Sequence, residues 1–63
     1  MHYIRKRYGV PAKRGARIRF TPSRNESSEG TIVGSRGTYL RVRFDNDPKH
    51  IATLHPTWEV TYL

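Results

Sequence analysis

Two short stretches of the chain alternate between apolar and polar side chains, and this period of two restricts the fold more than any other feature. Residues 16–20 read Ala-Arg-Ile-Arg-Phe, and residues 39–44 read Tyr-Leu-Arg-Val-Arg-Phe. Successive side chains of a strand point to opposite faces of a sheet, so each stretch predicts a strand with one buried and one solvent-facing side. The chain is therefore expected to be mostly β.

The segments between these two strands predict a loop and a hairpin. Thr21–Glu29 is polar throughout, so we expect an exposed, mobile loop there. Gly30–Gly34 is a β-branched run between two glycines, and Ser35–Thr38 supplies a turn into the strand at residues 39–44. The two runs and their turn predict a β-hairpin.

The C-terminal third of the chain predicts two weaker strands. Asp45–Pro48 is a turn, and His50–Leu54 is expected to be a weak or edge strand because a proline precedes it. His55–Thr57 then turns the chain into a last strand, residues 58–62, whose alternate side chains from Trp58 onward face the core.

Five short strands in a chain of 63 residues predict one domain, built as a small five-stranded antiparallel barrel or strongly bent sheet. We expect the barrel over residues 12–63, preceded by a basic segment at residues 1–11. That segment forms either a single helical turn over residues 3–8 or an extended arm. The predicted core residues are Ala16, Ile18, Phe20, Ile32, Leu40, Val42, Phe44, Leu54, Trp58 and Val60.

Composition excludes several classes of function. The chain has no cysteine and no stretch approaching the ~20 apolar residues of a membrane span, so we expect a soluble cytoplasmic protein without disulfides. A domain of this length has little stability to spare for a deep catalytic pocket, so no enzyme is predicted. Asp45–Asp47 lacks the glycine and closing glutamate of a calcium loop, and His50 and His55 have no third ligand nearby. No metal or cofactor is expected.

Positive charge is concentrated in the first third of the chain. Lysine and arginine number 12 against 5 acidic residues, a formal net charge of +7, and the first acidic residue comes only after Phe20. Most of the basic residues are arginine, whose planar guanidinium suits phosphate and stacks on aromatic rings. Codon usage in a GC-rich genome explains the same bias equally well.

Alternation places a set of cationic and aromatic side chains on the polar side of the two strands: Arg17, Arg19, Arg41, Arg43 and Tyr39. Such a surface can follow a phosphate backbone and stack a base. The alternative is that arginine merely supplies the polar outside of a two-faced sheet. Like charges opposed across strands repel, and Glu59 offers only part of the counter-charge needed in the absence of a ligand.

Further basic residues precede the first strand: Arg5, Lys6, Arg7, Lys13 and Arg14. They form either a basic element that reaches along a nucleic-acid backbone or a solvated terminus. The predicted partner is nucleic acid, RNA or DNA, bound weakly and without sequence preference because phosphate contacts carry no sequence information. A protein partner, or a weak homo-oligomer formed through a strand edge, is the alternative.

Residues 12–20, Glu29–Val33 and Leu40–Phe44 together resemble the KOW motif, in which a basic residue and a glycine lead into one strand and another glycine opens the next. The resemblance covers about half the chain, and Tudor-like modules are similar in the same respects. It implies an SH3-like barrel that contacts RNA, DNA or proteins through its loops and basic face. The segments Tyr8–Pro11 and His55–Trp58 also resemble those of small uncharacterised bacteriophage and prophage proteins, which implies a phage-type origin but no particular activity.

Overall fold

The computed structural model describes all 63 residues. The strands form one antiparallel sheet in the order β4-β3-β2-β1-β5, which confirms the mostly β class. The sheet is open, with β4 and β5 as its two edges. The elements are α1 (His2–Tyr8), β1 (Arg17–Ser23), β2 (Glu26–Arg36), β3 (Tyr39–Phe44), β4 (Ile51–Leu54) and β5 (Val60–Tyr62).

One face of the sheet, here called the inner face, carries the core. Its buried side chains are Ile18, Ile32, Leu40, Val42 and Leu54, all of them among the predicted core residues. Predicted core residues that are only half-buried pack around them: Ala16, Phe20, Phe44 and Val60. Ile4 and Ala12 complete the core from the N-terminal segment and were missed, because neither belongs to an alternating stretch.

The N-terminal segment is a docked helix rather than an extended arm. Seven residues are too few to hold a helix in water, and α1 has no side-chain N-cap, so packing must stabilise it. Ile4 supplies that packing, with only 1% of its surface exposed. Gly9 ends the helix in the left-handed conformation at φ 66°, and its N–H donates to the Arg5 carbonyl. The Arg5 Nη1 atom also donates to the Ala12 carbonyl at 2.8 Å.

The predicted loop at Thr21–Glu29 is instead a hairpin that continues β1 into β2. Ser23 lies opposite Glu26 across a tight turn, and the register shifts between Phe20 and Ser23. That irregularity accommodates Pro22, which has no N–H to give to the ladder. The hairpin extends beyond the core, so both of its faces carry polar residues. Without alternation the sequence resembled a loop.

The placement of Trp58 in the core is also wrong. Its side chain is 67% exposed, and β5 begins only at Val60. Between them Glu59 adopts the left-handed conformation with φ 61°. One such residue breaks the strand alternation, so Trp58 and Val60 do not share a face. Val60 lies opposite Phe20 on β1 and packs against the core.

Candidate functional site

The other face of the sheet, the outer face, carries the arginines of β1 and β3. Arg17 and Arg43 lie on either side of Thr31 in one row across three strands. Arg41 lies between Gly34 of β2 and Thr53 of β4. Because the inner face takes the alternate residues, Arg17, Arg19, Arg41, Arg43 and Tyr39 belong to the outer one.

Two of these arginines are neutralised by acidic neighbours. Arg17 forms a bidentate pair with Asp45, with Nη1–Oδ1 at 2.8 Å and Nη2–Oδ2 at 2.5 Å. Arg19 Nη2 lies 3.0 Å from the Glu29 Oε2 atom, and Glu29 Oε1 lies 3.7 Å from Arg17 Nη2. We call Arg17, Arg19, Glu29 and Asp45 the paired cluster. Its counter-charge comes from Glu29 and Asp45, whereas Glu59 forms no ion pair.

The bidentate geometry shifts both partners towards their charged forms. Hydrogen bonding from Arg17 lowers the pKa of Asp45, and the same hydrogen bond raises the pKa of Arg17. Both groups therefore stay ionised around neutral pH, and each satisfies the other. The guanidinium of Arg17 is already occupied within the protein.

A second group on the outer face has no acidic partner, and we call it the open patch. Its members are Arg36, Tyr39, Arg41 and Arg43, and no carboxylate forms an ion pair with any of its arginines. The Nε atom of Arg41 is buried and has no hydrogen-bond partner. Arginines without a carboxylate partner favour an anion that accepts hydrogen bonds from their terminal N–H groups.

Arg36 belongs to this patch because of a β-bulge. The register shifts between Ile32 and Gly34, which adds one residue to β2 and sets Arg36 opposite Tyr39. Without the extra residue Ser35 would face Tyr39. The sequence interpretation placed Arg36 in the turn, and no local pattern marks the bulge.

Aromatic rings border the open patch at the end of the sheet where β3 begins. The His55 ring is the centre of this aromatic cluster, which comprises Tyr8, Tyr39, His55 and Trp58. Trp58 stacks on His55 with ring centroids 4.1 Å apart and an interplanar angle of 11°. Tyr8 and Tyr39 meet the same ring edge-on, at 5.2 Å and 6.0 Å between centroids.

Several hydrogen bonds fix the segment that carries Trp58. The Tyr62 hydroxyl donates to the Pro56 carbonyl at 2.8 Å, and the Thr57 N–H donates to the His55 Nδ1 atom at 3.1 Å. The N–H of Thr21 donates to the Glu59 carbonyl at 2.9 Å. Burial raises the pKa of Tyr62, so its hydroxyl keeps the proton it donates. Trp58 is thus exposed on a well-anchored segment.

The basic residues before β1 do not share the outer face. Because Ile4 packs into the core on the inner side of the sheet, α1 and its basic residues belong to that side and not to the outer face. Lys13 and Arg14 are exposed at the turn before β1. Tyr8 connects the basic residues of α1 with the aromatic cluster. Its ring contacts His55, and its centroid lies 5.7 Å from the Arg7 guanidinium carbon.

Little else in the molecule suggests chemistry. A shallow hollow is lined by Tyr3, Lys6 and Arg7, without a carboxylate. The Asp47 carboxylate hydrogen-bonds the His50 Nδ1 atom at 2.8 Å and thereby raises the pKa of His50. No group of three or more residues is arranged to hold a metal ion. The helix of the molecule is too short to cross a membrane.

Fold and site together define a small antiparallel β protein with a half-neutralised basic face and an exposed aromatic cluster at one end. No protein-family model, curated protein or solved structure matches the chain.

Proposed function

We propose that the protein is a non-enzymatic nucleic-acid-binding module that holds the phosphate backbone on its open patch. One observation carries this proposal: Arg36, Arg41 and Arg43 share the outer face with no carboxylate partner, although the same face provides two for Arg17 and Arg19. A polyanion would supply the missing acceptors.

The energetics favour phosphate as the ligand of this patch. Neighbouring guanidiniums repel one another across a sheet unless an anion lies between them. Phosphate oxygens accept the paired N–H groups of arginine, and each contact releases counterions from the nucleic acid. Binding should therefore weaken steeply as salt rises and discriminate little between sequences.

The resemblance to KOW domains agrees with this function. We propose that the sheet is a KOW-like, SH3-like unit of phage type, with Gly15 leading into β1 and Gly30 within β2. Lys6, Arg7, Lys13 and Arg14 would add long-range attraction from outside the outer face, since they are exposed and carry no acidic partner.

The test compares two variants that lose the same charge. Arg41→Gln/Arg43→Gln removes two members of the open patch, whereas Arg24→Gln/Lys49→Gln removes two exposed cations from turns at the other end of the sheet. Affinity for short DNA and RNA oligonucleotides is measured over a series of salt concentrations. Two lost phosphate contacts should reduce the slope of log affinity against log salt by about 1.4 to 1.8.

The control variant should keep most of the wild-type slope. Equal slopes for the two variants would mean that only total charge matters and that the open patch is no site. Absence of binding to any oligonucleotide at low salt would overturn the proposal altogether.

A protein partner is the second candidate, favoured by the free edge of β4. No strand pairs with its outer side, and Ile51 and Ala52 of this strand are only half-buried. An exposed edge can accept a strand from another chain or from a second copy of this one. Gel filtration over a concentration series detects the second copy as a mass that rises with concentration.

A further inference from the structure

We infer that Trp58 is a stacking platform for an unpaired base, which gives the protein a preference for single-stranded nucleic acid over duplex. This inference rests on the proposed function and adds to it the class of nucleic acid bound. It depends on the position, anchoring and surroundings of Trp58 and not on the arginines alone.

The exposure of Trp58 is built into the fold. Its side chain is 67% exposed, although tryptophan is largely buried in most proteins. The chain around it is held at three points, since Pro56 is buried, the Tyr62 hydroxyl binds the Pro56 carbonyl, and the Glu59 carbonyl accepts from Thr21. The backbone around Trp58 is therefore already ordered while its indole is exposed to water. Because the segment is ordered before binding, less conformational entropy is lost when a ligand binds.

The residue after Trp58 has an unusual backbone conformation, and this conformation helps to expose the Trp58 side chain. Glu59 has φ 61°, a left-handed conformation that residues with a Cβ atom rarely adopt. An ordinary extended residue at this position would continue the alternation and place Trp58 on the same side as Val60. Strained residues of this kind cluster at binding sites, where they set the direction of a side chain.

The indole of Trp58 already stacks on His55 and could accept a further aromatic ring. His55 covers one face of the indole in a nearly parallel arrangement, 4.1 Å between centroids, and because the side chain is 67% exposed we infer that its other face is open to solvent. The His55 ring is itself held in place, because Tyr8 and Tyr39 contact it edge-on. Its Nδ1 atom accepts from the Thr57 N–H, so the neutral ring carries its proton on Nε2. A base on the open face would form the third layer.

Trp58 lies close to the arginines of the open patch, which would bind the phosphate backbone of the nucleic acid. Tyr39 contacts His55, lies opposite Arg36 and is two residues from Arg41 on the same face of β3. A strand whose base lies on Trp58 therefore has guanidiniums beside it for its phosphates. Bases within a duplex are already stacked and paired and cannot cover the indole, so the platform selects unpaired bases.

The test uses Trp58 as its own reporter, because the chain has no other tryptophan. Intrinsic fluorescence of the wild-type protein is followed during titration with oligothymidylate, oligouridylate, a mixed-sequence duplex and an abasic strand of equal length. The two strands with bases should quench the emission, and the midpoints of the two titrations give the preference between DNA and RNA. The duplex and the abasic strand should bind through phosphates and leave the emission nearly unchanged.

Substitution gives a second measurement. Trp58→Ala should weaken binding to the preferred single strand by about five- to a hundredfold, the range measured for loss of one stacked base, and binding to the abasic strand by less than about twofold. Trp58→Phe keeps an aromatic face and should retain most of the affinity. Thermal unfolding checks that each variant is folded, and because the indole is exposed we expect that it is.

The outcomes separate this inference from the proposed function. Equal quenching by the abasic strand, or unchanged single-strand affinity in Trp58→Ala, would overturn the platform while salt-dependent binding through Arg41 and Arg43 remained. No binding to any of the four polymers would overturn both.

Discussion

The docking of α1 leads to a sharp prediction about stability. Ile4 is 1% exposed and belongs to the core cluster with residues of β1, β2 and β3. Ile4→Ala removes three buried carbon atoms, worth about 0.8 kcal/mol each, and the cavity left behind raises the total loss to about 3 kcal/mol. In a domain of this size that loss lowers the melting temperature by roughly 12 to 24 °C.

The assay is thermal and urea unfolding followed by far-UV circular dichroism, with Tyr3→Ala as the matched control. Tyr3 immediately precedes Ile4 in the same helix and is 60% exposed, so its truncation should change the free energy of unfolding by less than about 0.5 kcal/mol. If the two variants melted at the same temperature, α1 would not be docked, and the extended basic arm would be the correct description of the N-terminus.

Two further predictions test the sheet and the β3–β4 turn. Gly30→Ala places a Cβ atom 2.7 Å from the Arg43 carbonyl oxygen and should cost about 1 to 3 kcal/mol in urea unfolding, whereas Gly34→Ala, with open space around it, should be nearly neutral; equal midpoints would refute the close approach. Asp47→Asn should return the pKa of His50, followed by NMR, towards 6.5. Because the folded-state pKa is raised, this pair stabilises the protein below pH 6.5, and its contribution disappears as pH rises through the folded-state pKa; an unchanged titration would contradict the contact.

The parts of the fold that were predictable are those whose pattern is local. Residues 16–20 and 39–44 alternate because one face of each strand is buried, and Gly37, with φ 60°, marks the turn between β2 and β3. The hairpin beyond Phe20 has no such pattern, because it extends past the core and neither of its faces is buried. α1 was uncertain because a short helix with one buried residue has almost no periodicity to detect.

The parts of the site that were missed depend on contacts between distant segments. Glu29 and Asp45 neutralise Arg17 and Arg19 only because the sheet register brings them together, and the polar sequence around Glu29 predicts a loop rather than a strand. The bulge that turns Arg36 to the outer face is equally invisible in the sequence. A single left-handed residue after Trp58 changed a predicted core residue into an exposed one.

The separation of the outer face into a paired cluster and an open patch determines the path that a bound nucleic acid would take in the proposed complex. A polyanion crossing the face would meet two carboxylates where Arg17 and Arg19 lie, and arginines without acidic partners along β3 from Arg43 to the Tyr39 end of the strand. Carboxylates repel phosphate, so the backbone is confined to the half that adjoins the aromatic cluster. Beyond the aromatic cluster lies a further cation, Arg7, whose guanidinium is 5.7 Å from the Tyr8 ring that contacts His55. A single strand bound on the open patch would therefore bend around the His55 end of the sheet towards α1, which a stiff duplex could not do without a large bending cost. Replacing the two carboxylates of the paired cluster with amides, Glu29→Gln/Asp45→Asn, should remove this confinement because it leaves Arg17 and Arg19 without acidic partners. Affinity should then rise for single strand and duplex alike, and the preference between them should fall.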